Sequence, residues 1–148
     1  MPANTAMTRE EREAFLAGVH VGVVSIERPG RAPLSAPVWY DYTPEQGVWF
    51  ITVKTSRKGV ALEAAGRFTL VAQQEDMPYK YVSVEGPIVE MRESDLEKDR
   101  RPMAHRYFGK ELGDAYVEGG SSEEGVNFVY RMQPESWLTV DYGKILGG

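Results

Sequence analysis

The fold is decided by residues 50–66, FITVKTSRKGVALEAAG. Phe50, Ile51, Thr52 and Val53 make an apolar run that reads as a buried strand. The run passes straight into Lys54-Thr55-Ser56-Arg57-Lys58-Gly59. Val60, Ala61, Leu62, Ala64 and Ala65 then predict a short helix with Gly66 as its C-cap. Three cations and two hydroxyls therefore crowd the start of a helix, where unpaired N–H groups and a partial positive charge attract anions. Thr55 and Ser56 are good capping residues that can also donate hydroxyl bonds. Arg57 offers a planar fork for phosphate oxygens, and Lys58 a point charge. Acidic side chains are the usual occupants of a first helical turn, and each cation there costs about 0.3–1 kcal/mol unless an anion is bound. A solvated turn with its long side chains in water is equally compatible with this local chemistry.

Outward from that stretch the chain reads mainly as strands. Thr8-Arg9-Glu10-Glu11 has capping-box spacing and starts a helix containing Phe15 and Leu16. Val19, Val21, Val23 and Ser25 alternate, predicting a strand to about Ile26, and Arg28-Pro29-Gly30-Arg31 is a turn. Leu34–Tyr42 and Val48–Val53 are further strands joined by the turn Thr43–Gly47, so the three form an antiparallel meander. Phe68–Gln73, Tyr79–Glu90, Val126–Met132 and Trp137–Val140 bring the count to seven. Ser94-Asp95-Leu96-Glu97 reads as a second capping box, with Pro102 breaking the helix and Gly109 stopping its second half. Residues 119–125, Gly-Gly-Ser-Ser-Glu-Glu-Gly, have a loop composition. About seven strands and few helices predict a mainly β domain, a barrel or sandwich. The third strand is apolar on both faces, so a helix or a second copy of the chain should cover its outer side.

The 148 residues suit one domain, 1–148, with a short flexible N-terminus. No apolar run approaches the ~20 residues of a membrane helix. MPANTAMTREERE lacks the apolar centre of a signal peptide, so a cytoplasmic location is expected. With no cysteine, thiolate metal sites and thiol nucleophiles are excluded, and His20 and His105 alone do not make a metal cluster. His20 reads as a structural histidine rather than a haem ligand, His105 as a surface residue, and Arg100-Arg101 as a solvated helix face. A net charge of −5 disfavours nucleic acid as a partner.

Several motifs, in order and spacing, resemble those of the pyridoxamine 5′-phosphate oxidase-like split β-barrels. They are Val23-Val24-Ser25, then Ser35-Ala36-Pro37-Val38-Trp39-Tyr40, then Gly47–Thr52 with Ser56-Arg57-Lys58, and finally Tyr81-Val82-Ser83-Val84-Glu85-Gly86. The likeness runs from about residue 10 to 141. Vitamin B6 oxidation is not expected, because Asp41 stands where true oxidases carry a basic residue and no Arg follows Trp137. The pattern is closer to the B-type group of actinobacterial flavin/deazaflavin oxidoreductases.

That resemblance implies a split β-barrel, FMN-binding-like, forming a homodimer with its cofactor site at the interface. The implied cofactor is the deazaflavin coenzyme F-420, with FMN as the alternative. By the same resemblance Ser56, Arg57 and Lys58 would contact phosphate, while Ser35, Pro37, Val38, Trp39, Ile51 and Thr52 would line the ring. Lys54, Thr55 and Lys80 would accompany a long anionic tail. Gln73 or Gln74 would add a polar contact, and Trp137 with Tyr142 would complete the site from the second subunit. The implied reaction is hydride transfer to an activated double bond of a small organic substrate. No catalytic side chain is assigned; Tyr40, Tyr42 and Tyr81 are candidates for a proton. A flavin- or haem-binding protein that does not turn over is the non-enzymatic alternative.

Overall fold

A computed structural model of the chain describes residues 4–119 and 125–146. The loop expected at 119–125 lies largely outside the described residues. Helix α1 (Arg9–Ala17) starts at Thr8, whose hydroxyl accepts from the Glu11 amide while the Glu11 carboxylate accepts from the Thr8 amide. The strands are β1 (Val21–Arg28), β2 (Arg31–Thr43), β3 (Gly47–Val53), β4 (Arg67–Gln74), β5 (Lys80–Glu93), β6 (Asn127–Met132) and β7 (Ser136–Asp141). Helix α2 (Arg57–Ala65) links β3 to β4 and ends at Gly66, whose φ of 69° suits glycine alone at low cost.

All the pairings are antiparallel. The strands run in the order β4, β1, β2, β3, β6, β5, and β5 pairs back onto β4, which closes a six-stranded barrel. β5 is long enough to meet two partners along one edge: its residues 80–85 pair with β7, and 88–93 with β6. The expected mainly β barrel is therefore the observed fold.

The barrel is filled by alternate side chains, among them Val24, Ile26, Tyr40, Phe50, Leu70, Val82, Val84 and Tyr130. In β1 the buried set is Gly22, Val24 and Ile26, whereas Val21 and Val23 point outward. The strand is apolar on both faces, so its alternation does not identify the inward one. The Tyr40 hydroxyl donates to the Leu16 carbonyl at 2.7 Å and fastens α1 to the barrel.

After β5 the chain enters a π-helical turn, Leu96–Arg100, that runs into α3 (Arg101–Phe108). The cap is Asp95 rather than Ser94: its carboxylate accepts from the Lys98 amide at 2.7 Å. Pro102 sits in the first turn of α3, where a missing N–H is tolerated, so it marks the change of helix type instead of a break. Gly109 ends α3 as expected, and a helix not foreseen, α4 (Lys110–Gly119), folds back on it. A short α5 (Gly143–Leu146) follows β7.

Helix α3 supplies the cover for the outer face of β3. Met103 packs with Trp49 and Val129 in a second small core, bordered by Trp39, Ile51 and Tyr107. Arg106 holds α3 in place by donating to the carbonyls of Tyr40 at 2.9 Å and Gly18 at 2.8 Å and by pairing with Asp41 at 3.0 Å. Replacing Arg106 by Ala should cost about 2–4 kcal/mol, because a largely buried charge network loses its centre. Urea unfolding checks this; a loss under about 0.5 kcal/mol would show that α3 is held by apolar packing alone.

Candidate functional site

Where β3 ends, the chain must reverse into α2 within three residues. Ser56 makes this possible. Its hydroxyl donates to the Val53 carbonyl at 2.6 Å and accepts from the Gly59 amide at 3.1 Å, while its own amide donates to Val53 at 3.0 Å. Glycine is required at 59, since a Cβ there would lie 2.3 Å from the Lys54 carbonyl oxygen. These bonds employ the amides of Ser56 and Gly59. The amides of Arg57 and Lys58 stay open at the helix start, and among the described residues neither side chain has an ion pair or hydrogen bond. No acidic residue occupies that first turn. Two free amides and two free cations share one short arc.

Beside this turn lies a cavity of about 490 Å³, within the roughly 300–1,000 Å³ common for small-molecule sites. Pro37, Val38 and Trp39 of β2 form one wall, and Ile51, Thr52 and Val53 of β3 the floor. Lys58 closes the α2 end. The far wall comes from Glu93, Ser94, Leu96 and Arg100, and the roof from Met103 and Ala104 of α3 with Tyr116 and Val117 of α4. Residues 125–127 complete the rim.

Trp39 is held rigidly. Its indole stacks on Tyr107 with centroids 5.0 Å apart, meets the edge of Phe108 at 4.9 Å, and lies 5.6 Å from Tyr116. Such packing fixes one side of the cavity as a flat apolar surface.

Of the residues singled out from sequence, Pro37, Val38, Trp39, Ile51, Thr52 and Lys58 line this cavity. The others lie elsewhere. Lys54 lays its ammonium over the Phe128 ring at 4.9 Å, and Thr55 and Arg57 are exposed on the turn. The Ser56 hydroxyl is consumed as a cap. Ser35 shares a hydrogen bond with Ser25 at 2.9 Å on the outer barrel surface. Gln73 is exposed on β4 opposite Tyr81, and Lys80 stands at the start of β5 between Gln74 and Asp141. Trp137 packs under Arg12, whose guanidinium is 4.5 Å from the ring, and against Tyr42.

The tyrosines considered as proton sources are not at the cavity. Tyr40 is spent on Leu16, and burial raises its pKa. His20 stacks on Phe15 at 4.5 Å with its Nε2 3.0 Å from the Phe15 carbonyl, and burial lowers its pKa, as suits a neutral Nε2–H donor.

Ser94, Leu96, Arg100, Met103, Tyr116 and Val117 were not anticipated. The Arg100-Arg101 pair is split by the helix: Arg101 binds Glu97 and Asp114, both at 2.7 Å, while Arg100 lines the cavity instead of facing water. Tyr116 and Val117 belong to the unforeseen α4, whose sequence KELGDAYVEG has a glycine inside and only three apolar side chains larger than alanine.

The family model for pyridoxamine 5′-phosphate oxidase matches residues 8–141. No curated protein matches the chain. Among solved structures, a conserved hypothetical protein of Mycobacterium tuberculosis is similar at 21% identity, with 97% of this chain and 91% of that chain covered and a TM-score of 0.77. An F-420 reductase is similar at 16% identity, with 85% and 94% covered and a TM-score of 0.67. A FAD-binding protein of Mesorhizobium loti is similar at 17% identity, with 94% and 97% covered and a TM-score of 0.61. At these identities the likeness concerns the fold.

The roof is tied down by Asp114 of α4, which meets His105 at 2.6 Å and Arg101 at 2.7 Å. The His105 bond and then Arg101 draw its carboxyl from 3.8 down to about 2. A depressed carboxylate favours the folded hairpin above its ordinary pKa, and that contribution is lost as pH falls from 3.8 towards 2. The indole N–H resonance of Trp39 should therefore shift in that window in the native chain and not in Asp114→Asn. Identical profiles would show that Asp114 does not hold the roof.

Proposed function

Because the chain belongs to the pyridoxamine 5′-phosphate oxidase family, we propose that it is an oxidoreductase of the B-type flavin/deazaflavin group. Its cofactor is then reduced coenzyme F-420, and its substrate a small organic molecule with an activated double bond. The observation that carries this is the start of α2, with two open amides and with Arg57 and Lys58 unpaired among the described residues, beside a cavity walled on one side by Trp39 and Ile51. That donor set fits a flat ring joined to an anionic tail. A tail with several negative charges also gives Lys54, on the same turn, a purpose. FMN would fit the same place with a single phosphate, and the similar FAD-binding fold keeps it as the alternative.

Bound deazaflavin supplies a hydride from its central ring carbon. The protein's part is placement. Lys58 and the α2 amides anchor the anionic end, and Trp39 and Ile51 present apolar surface to a ring. Met103, Tyr116 and Val117 roof the space and keep water from it. Tyr116 is the one tyrosine among the described residues lining the cavity, and so it is the candidate phenol for a proton.

A homodimer belongs to the same proposal. Val21 and Val23 on the outer face of β1, with Val19 just before it, expose apolar side chains, as an interface would require. Ser35, Gln73, Lys80 and Trp137 would reach a cofactor from the second copy.

Replacing Arg57 and Lys58 together by Ala should weaken coenzyme F-420 binding by about 3 kcal/mol, roughly a hundredfold in Kd. The ligand-free variant should meanwhile melt slightly higher than the native chain, since two cations have left a positive helix end. Unchanged affinity in a fluorescence titration would move the site elsewhere.

A further inference from the structure

The end of the cavity away from Lys58 is built around polar groups that the fold leaves unsatisfied. Ser94 lines the cavity and is 9% exposed, yet its hydroxyl has no hydrogen-bond partner among the described residues. Arg100 lines the same wall, its Nε is buried without a partner, and among the described residues it forms no ion pair. Buried polar atoms are almost always paired, so two orphans on one wall point to a missing acceptor.

The local architecture explains why they are left over. The neighbouring carboxylate, Asp99, is fully employed: it accepts from Arg92 at 2.6 and 2.9 Å and from the Asp95 amide at 2.8 Å. The helix start is likewise taken, because Asp95 rather than Ser94 provides the cap. Ser94 is thus freed from a capping role that its sequence context suggests, and Arg100 from the acid beside it.

Strand pairing sets the distance between the two ends. The Ser94 amide donates to the Asn127 carbonyl, and Asn127 pairs with Val53 at the end of β3. Two strand spacings, roughly 10 Å, therefore separate the end of β5 from the β3–α2 turn. One anion held at Lys58 does not satisfy Ser94 and Arg100. The only other charged side chain on the described lining is the exposed Glu93, so the lining keeps one positive charge in excess.

We infer that Ser94 and Arg100 form a second anion-recognition point, which takes the carboxylate of a flat, otherwise apolar substrate. The inference rests on the proposed function insofar as the ligand is called a substrate. The surfaces between the two points, Trp39, Leu96, Met103 and Val117, are apolar and suit an aromatic or conjugated skeleton. A carboxylate conjugated with the double bond would place the electron-poor carbons between the wall and the ring site. Ser94 Oγ–H and the Arg100 guanidinium would donate to its oxygens.

The test is calorimetric titration of the full chain with trans-cinnamate and with methyl cinnamate, its uncharged analogue. The native chain should bind the acid about tenfold more tightly than the ester. Arg100→Gln should abolish that preference, and Ser94→Ala should reduce it several-fold. Neither variant removes a bond the fold uses, so thermal stability should be kept. Equal binding of acid and ester, no binding of either, or an unchanged preference in Arg100→Gln would each overturn the inference.

Titration of the same variants with coenzyme F-420 separates the two proposals. Cofactor affinity should not change in Arg100→Gln; a loss there in place of cinnamate binding would assign the wall to the cofactor's own carboxylates and overturn the substrate reading. If no cofactor binds but the Arg100-dependent preference remains, the function proposal fails and the anion point stands.

Discussion

The structure depends on how closely the first turn of α2 approaches the end of β3. Ser56 bonds the Val53 carbonyl and the Gly59 amide at once, and the absent Cβ of Gly59 lets the helix backbone come within van der Waals reach of the strand it has just left. That tight reversal fixes the position of Arg57 and Lys58 relative to Ile51 and Val53. Two cations and the β3 floor of the cavity thereby become neighbours without any loop that could move them apart. The cations weaken the helix start in isolation, a cost that makes sense where a ligand offsets it.

Much of this was legible in the sequence. Phe50–Val53 and the residues up to Gly66 carry a strand, a cap and a C-cap in chemical terms that local structure obeys, and the seven strands follow from alternation and turn residues. Two things were not legible. The inward face of β1 was hidden because Val21, Val23, Val24 and Ile26 are all apolar, so the pattern had no contrast. The cap after β5 moved by one residue because Asp95 competes with Ser94, and a carboxylate at that position also matches the helix dipole.

The roof of the cavity was the larger omission. Its members are distant in sequence from the β3–α2 turn and gather through tertiary contacts: Arg106 reaching Tyr40 and Gly18, Tyr107 stacking on Trp39, and Asp114 bridging α4 to α3. Nothing in the spacing of Arg100-Arg101 announces that one guanidinium enters an ion-pair network while its neighbour faces a cavity. Trp137, which the resemblance assigns to a site completed by a second copy, packs within one chain under the Arg12 guanidinium. Family resemblance pointed to the β3–α2 turn; the opposite wall of the cavity became visible only once β5, β6 and α3 were placed together.

The central claim is that the start of α2 and the adjoining cavity hold a deazaflavin, and one measurement addresses it most directly. The purified chain is titrated by fluorescence with coenzyme F-420 and, separately, with FMN. The account predicts tight binding of coenzyme F-420 and markedly weaker binding of FMN, since the unpaired cations on the turn outnumber what one phosphate needs. Binding of neither would contradict it, and would reduce Arg57 and Lys58 to solvated side chains on a sharp turn.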